Sequence, residues 1–334
     1  IAADLFGCKP EQVVFTPGCT HGLNIAIRAL VKRGDPVVIS GFEHNAVTRT
    51  LHHLGAEVIV AARRLFDPGD TLQSFEEALR KRPTAAVFTH VSNVFGYVLP
   101  VEELAALCRR YEVPFVIDAA QSAGIEPIDL SALGADHIAI PGHKGLLGPQ
   151  GTGLLLCKSA AEPLVYGGTG SDSASHRMPS WLPDALEAGT LNVPGIAGLS
   201  EGIRWIQSHG VDTIARREQQ QVLRCSRGLE KLGFRVFSGE DQGATVSFLP
   251  QQDCEETAAL LAREGMQQWT PDLIWYNARE VLLTPNYYVQ QMFASTVGDQ
   301  GVESALDSRN KLIYYVVTRT DDRLYVKLVN VSAY

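Results

Sequence analysis

No run of about 18 apolar residues occurs, so an ordinary membrane-spanning helix is not expected. The first residues carry neither a basic region nor the apolar stretch of a secretory signal. The cytoplasm is therefore the expected location, with no membrane partner. Clustered Lys and Arg are missing too. With 29 basic residues against 37 acidic ones and a net charge of -8, the chain offers no patch suited to a phosphate backbone, which argues against nucleic acid as a partner. No CxxC pair occurs among Cys8, Cys19, Cys108, Cys157, Cys225 and Cys254. Thiols scattered in this way suit a reduced state better than a disulfide framework or a zinc site, and no metal is expected. There is no internal repeat of solenoid period and no low-complexity segment. There is no initial methionine either: the chain starts at Ile1 inside an apparent amphipathic helix (Ile1, Ala2, Leu5, Phe6), and we expect a fragment.

What is present is an ordinary globular composition, 45% hydrophobic and 20% charged over 334 residues, enough for roughly two domains. Apolar runs of strand length alternate with helical patterns. Strands are predicted at Gln12 to Phe15, Pro36 to Ser40, Glu57 to Val60, Ala85 to His90, Pro114 to Ile117 and Asp136 to Ile140. Between them lie helices over His21 to Arg33, through Leu54, over Thr71 to Lys81 and over Val101 to Tyr111. The alternation makes this an α/β fold. In open α/β sheets the ligand crevice lies beyond the carboxyl ends of the strands, so Thr20, His44, Asn93, Asp118 and Gln121 are predicted to converge. After Gly153 a return strand, GTGLLLCK, is expected, then a mostly helical stretch from Ile196 to Leu232 broken near Gly210. Strands at Phe234 to Phe237 and Ala244 to Leu249 and a helix over Glu255 to Glu264 begin an α+β second domain.

One stretch stands out, AIPGHKGLLGPQGTG from Ala139 to Gly153. Its lysine, Lys144, has glycines, leucines and a proline around it in place of the polar neighbours of a solvated lysine. An amine so placed suits Schiff-base chemistry, which needs proximity to a carbonyl and partial desolvation; a phosphate-binding or structural lysine is the alternative. Asp118, closing an apolar strand, adds a second requirement of pyridoxal phosphate, a carboxylate that keeps the ring nitrogen protonated. Taken alone, it also reads as a helix cap. The strand, the turn Thr16-Pro17-Gly18-Cys19-Thr20 and the following helix suit an anion at a helix N-terminus. A plain βα turn capped by its threonine is the other reading.

Thr16 to Asn24, Glu43-His44, Ser92 to Gly96, Asp118 to Gly124, Gly142 to Gly145, Gly148 to Gly151 and Gly189 to Gly195 together resemble class V aminotransferase-fold enzymes, specifically the cysteine desulfurase and selenocysteine lyase branch. The likeness covers roughly residues 1 to 265. It implies a type I pyridoxal-phosphate transferase fold, with a mostly parallel sheet and flanking helices over 1–196 and an incomplete small domain over 197–268. It also implies pyridoxal 5'-phosphate as cofactor, a small cysteine-like amino acid as substrate and a homodimer. Lys144 would form the internal aldimine and move the Cα proton, and Asp118 would pair with the pyridine nitrogen. Asn93 and Gln121 would address the ring hydroxyl, and His44 would stack on the ring. Cys19, Thr20 and His143 would hold the phosphate, and Thr190 would reach the phosphate of the partner subunit. Pro141 departs from the pattern, because many relatives carry a hydroxyl there; the lost hydrogen bond is worth about 1–3 kcal/mol if nothing replaces it.

The resemblance stops near Gly265. Desulfuration needs a mobile cysteine and a substrate-binding arginine from the region that follows, and no cysteine occurs after Cys254. Cys108, Cys157 and Cys225 are read as core or surface thiols, and sulfur transfer is expected to be impaired. Residues 269–334 concentrate tyrosine and resemble a C-terminal fragment of α-L-arabinofuranosidases. A helix near Pro285 to Ser295 and a hairpin, Lys311 to Thr318 with Arg323 to Asn330, are predicted there. Retaining glycosidases need two carboxylates flanking the bond; Asp272, Glu280 and Asp299 read as solvated or capping residues. A tail-based glycosidase and an inactive hybrid remain the alternatives to a pyridoxal-phosphate lyase or transferase.

Overall fold

The computed structural model describes residues 1–240, 242–250 and 254, followed by the backbone of five strands between 274 and 330. It divides into two compact units, Ile1–Leu249 and Pro250–Tyr334.

The first unit opens with helix α1 (Ala2–Leu5), a 3-10 turn at Pro10–Gln12 and strand β1 (Val13–Thr16). Alternation follows: α2 (Cys19–Leu30), β2 (Pro36–Ser40), α3 (Asn45–Leu54), β3 (Glu57–Ala61), α4 (Pro68–Leu79), β4 (Ala85–Thr89), α5 (Val101–Arg110), β5 (Phe115–Asp118), α6 (Leu130–Leu133), β6 (His137–Pro141) and β7 (Gly153–Cys157). Two long helices, α7 (Val193–His209) and α8 (Val211–Lys231), precede a short pair, β8 (Arg235–Phe237) and β9 (Ser247–Leu249). Gly210 separates α7 from α8 with φ +80°, a conformation that only glycine adopts without strain, and the predicted break is there. The short α6 was not predicted, because four residues carry too little periodicity.

Seven strands form one sheet in the order β1-β7-β6-β5-β4-β2-β3. From β3 to β6 neighbours run parallel, whereas β7 is antiparallel to both β6 and β1. The stretch around Lys144 is thus the connection of the antiparallel β6–β7 pair. Side chains alternate across the pleat, and each face has its own core. On one face Val37, Ile39, Val87, Val116 and Leu155 pack with Leu23 and Ile27 of α2 and Val47 and Leu51 of α3. On the other Phe88, Phe115, Ile117, Ile138 and Leu156 pack with Phe75 of α4, Leu104 of α5 and Leu199 of α7. Strands β4 to β7 are buried along their whole length, as expected of a sheet covered by helices on both sides. Edge strand β3 leaves Val58 and Val60 exposed.

In the second unit, backbone pairing joins β10 (Ile274–Tyr276) to β11 (Val281–Leu283). Strand β13 (Ile313–Arg319) pairs antiparallel with β14 (Leu324–Asn330), with Ile313 opposite Asn330 and Arg319 opposite Leu324. This is the predicted hairpin. A third strand, β12 (Gln300–Gly301), pairs with β13. The helices predicted over Glu255 to Glu264 and Pro285 to Ser295 lie outside the described residues. Among the described residues, no helix is long and apolar enough to cross a membrane.

Candidate active site

A cavity of about 560 Å³ opens at the carboxyl ends of the central strands. It collects nearly every residue proposed from sequence: Cys19, Thr20, His44, Asn93, Asp118, Gln121, His143 and Lys144 all line it. Thr190 does not; it is exposed in the loop before α7. Pro141, the departure from the family pattern, is part of the wall.

Each wall has a local cause. Helix α2 begins at Cys19, two residues earlier than expected, with Gly18 as its N-cap and no side-chain cap. Thr20 is therefore the second residue of the helix, and the reading of a threonine cap is corrected. The first backbone bonds run from His21 and Gly22 back to the Gly18 carbonyl at 3.1 and 3.2 Å. The N–H groups of Cys19 and Thr20 precede them and point out of the helix start, where the macrodipole favours an anion. Strand β5 has the parity that turns Val116 toward α2, and Asp118 follows it onto that face.

Asp118 is 1% exposed. Burial raises the pKa of its carboxyl, while the Ala120 N–H at 2.9 Å, the Cys19 thiol and the charges of Lys144 and His44 act in the opposite direction. The two loops that carry Asp118 and Lys144 fit together through glycines. A Cβ on Gly145 would stand 2.3 Å from the Ala123 carbonyl oxygen, and one on Gly124, at φ +86°, 2.5 Å from the Gly145 oxygen. No residue with a side chain fits this approach. The Lys144 loop also closes on itself, with Gly148 N–H donating to Gly142 O at 2.7 Å and Leu147 N–H to Lys144 O at 2.8 Å.

His44 caps α3: its Nδ1 accepts the Ala46 N–H at 3.0 Å, so a neutral ring carries its proton on Nε2. Asn93 lies in a turn held by the Ser92 hydroxyl, which accepts from Phe95 N–H at 3.2 Å. Beside the cavity, Glu43 is half-buried, with its carboxyl turned away from water. Its Oε1 accepts the Ser40 hydroxyl and the Thr89 N–H, and its Oε2 is buried without a partner. Burial pushes its pKa up to about 8, and the Asp118 charge adds to the effect.

Sequence reasoning missed several contributors. Thr89 and His21 line the cavity; burial lowers the pKa of His21. Asn192, read only as part of a motif, caps α7 through Gly195 N–H at 3.1 Å and reaches the Gly151 carbonyl at 3.4 Å. Glu187 accepts the Phe15 N–H at 2.7 Å. Asn192 within the Gly189-to-Gly195 motif and Glu187 just before it thus tie this loop to the Lys144 loop and to β1. All six cysteines are free thiols; Cys108 and Cys157 are buried, while Cys225 and Cys254 are exposed. Among the described residues, no cluster of ligands could hold a metal.

A mostly parallel sheet between helix layers, with an anion-ready helix start, a buried aspartate and a loop lysine at one crevice, defines the large domain of a type I pyridoxal-phosphate transferase fold. Residues 2–267 match the aminotransferase class-V family, and the chain belongs to it. It is 32% identical over 247 residues to a probable cysteine desulfurase of Pyrococcus abyssi (strain GE5 / Orsay), spanning 70% of this chain and 61% of that relative. A probable cysteine desulfurase of Methanothermobacter thermautotrophicus is 35% identical over 230 residues, 63% of this chain and 56% of the relative. Among solved structures, the apo cysteine desulfurase of Thermococcus onnurineus NA1 superposes with a TM-score of 0.71 at 32% identity, covering 79% of this chain and 70% of that one. The chain thus spans about three fifths of the length of these curated relatives.

Proposed function

We propose that the chain is a pyridoxal-phosphate enzyme of the cysteine desulfurase type, acting on a small cysteine-like amino acid. The observation that carries the reading is the single cavity joining Lys144, Asp118 and the start of α2. Its donor set fits the cofactor: unpaired helix N–H groups suit the phosphate, a buried carboxylate suits a protonated ring nitrogen, and a half-buried amine suits the carbonyl carbon. When bound, pyridoxal phosphate supplies the electron sink that makes the substrate's Cα–H acidic.

The protein's own residues do the rest. Lys144 Nζ holds the cofactor and afterwards carries the proton taken from Cα. Asp118 keeps the ring nitrogen protonated. Asn93 and Gln121 orient the ring through its hydroxyl, and His44 packs on its face with the tautomer set by its bond to Ala46. The N–H groups of Cys19 and Thr20, the Thr20 hydroxyl and His143 hold the phosphate. Thr190, exposed and outside the cavity lining, serves a second copy, as the resemblance implies, and the active form is a homodimer. Sulfur transfer is impaired, because Cys108 and Cys157 are buried and no cysteine follows Cys254.

The test is direct. Protein purified with pyridoxal phosphate should show the visible absorption of lysine-attached cofactor and lose it on Lys144→Ala; wild type without that absorption sinks the reading. Sulfide release from cysteine should be weak or absent. Robust release would show that a thiol of this chain, with Cys254 the first to examine, accepts sulfur. Hydrolysis of an arabinofuranoside chromogen would instead favour activity from the tail; none is expected.

A further inference from the structure

Both hydrogen bonds to the Asp118 side chain end on one oxygen. Oδ1 receives the Ala120 N–H at 2.9 Å and the Cys19 S–H at 3.4 Å. The donors come from different elements, Ala120 from the turn after β5 and Cys19 from the first turn of α2. Asp118 is almost fully buried yet lines the cavity beside Lys144. We propose that Cys19 is a positioning residue for Asp118: its S–H, donated to Oδ1, fixes the rotation of the carboxylate and presents Oδ2 to the ring nitrogen of the cofactor. This rests on the reading of Asp118 given above.

The chemistry favours a thiol in this role. With Ala120 alone as donor, the carboxylate could turn about Cβ–Cγ while keeping one bond; a second donor from α2 removes that freedom. A serine hydroxyl, on a shorter bond to Cβ, would stand beyond the roughly 2.5–3.0 Å of an O–H···O bond, whereas sulfur spans the gap. Cys19 is also unsuited to act as a nucleophile. Burial first and the Asp118 charge second hold its pKa well above the ordinary thiol value, and the contact itself requires the proton. The thiol inside the cavity is a donor, not a sulfur acceptor.

Alkylation of the cofactor-free protein tests the contact without relying on activity. With iodoacetamide and peptide mass spectrometry between pH 7 and 9, Cys19 should react far more slowly than exposed Cys225. Asp118→Asn keeps a carbonyl acceptor but removes the charge that disfavours the thiolate, and should speed modification of Cys19 by about tenfold, with Cys225 unchanged. Equal Cys19 rates in wild type and Asp118→Asn would overturn the proposal. Cofactor binding tests the positioning role. In Cys19→Ala and Cys19→Ser, pyridoxal phosphate should still attach to Lys144, with affinity lowered about threefold to tenfold, the worth of one hydrogen bond, and a shifted pH midpoint of its absorption. Unaltered affinity and midpoint in Cys19→Ala would also overturn it. If wild type binds no pyridoxal phosphate, the functional reading fails and the positioning role with it, while the alkylation rates still decide whether the Cys19–Asp118 bond exists.

Discussion

Two buried carboxyls stand at neighbouring strand ends and differ in what surrounds them. Asp118, closing β5, and Glu43, three residues beyond β2, are both removed from water, and burial is the largest influence on each. At Asp118 the penalty is opposed by two hydrogen bonds and by the charges of Lys144 and His44. At Glu43 two donors crowd Oε1, Oε2 has no partner, and the nearby Asp118 charge adds to the cost. Burial alone therefore does not make a functional carboxylate; the cations and donors that accompany it decide whether the group is held ionised or neutral. The neighbours of Asp118 favour its charged form against the burial that opposes it, whereas at Glu43 burial favours the neutral acid, whose Oε1 joins β2 to β4.

The comparison can be broken most forcefully at Asp118. Asp118→Asn should weaken pyridoxal phosphate binding about a hundredfold, roughly 2.7 kcal/mol, measured by fluorescence titration, with the fold retained; binding within twofold of wild type would place the nitrogen partner elsewhere. Separating the two loops should come next. Gly145→Ala forces a Cβ against the Ala123 oxygen and should cost about 2 kcal/mol of stability, read from denaturant midpoints, along with a loss of cofactor affinity.

Glu43→Gln acts in the other direction. The wild-type carboxyl titrates near 4.5 when unfolded and near 8 when folded, so between those values unfolding releases a proton and stability falls as pH rises. The amide does not titrate. The variant should therefore gain over wild type from pH 5 to 8 and level off above, by about 1–2 kcal/mol after its own buried N–H donors are counted. A gain independent of pH would show that Glu43 is ionised in the fold. The smallest effect is expected from Ser40→Ala, which removes one donor to Glu43 Oε1 and should cost about 1 kcal/mol at alkaline pH and less in acid, where the carboxyl is protonated in either case.

Much of the large domain was legible because its signals are local. Strands β2, β4, β5 and β6 fall within a residue or so of the predicted positions, since each is a short apolar run bounded by turn residues. The residues that line the cavity were found because an open α/β sheet gathers its strand ends at one edge. What was missed depends on geometry across the chain. Nothing in Glu43's neighbourhood in sequence shows that Thr89, 46 residues later, supplies its second donor. Asn192 and Glu187 reach Gly151 and Phe15, contacts that no spacing rule predicts. The start of α2 was placed late because Cys19 and Thr20 have weak helical preference, whereas in the fold Gly18 is the N-cap and the Cys19 thiol bonds Asp118 at the end of β5.

By itself, the sequence determined the alternation of strands and helices, and with it the sheet edge at which Lys144, Asp118 and the start of α2 meet, because apolar periodicity and glycine placement are short-range properties of the chain. Only the tertiary structure decided how each group at that edge behaves. Which oxygen of Asp118 is bound, that Cys19 is a donor, and that burial raises the pKa of Glu43 all depend on distances between residues far apart in sequence and on exclusion of water by both helical layers.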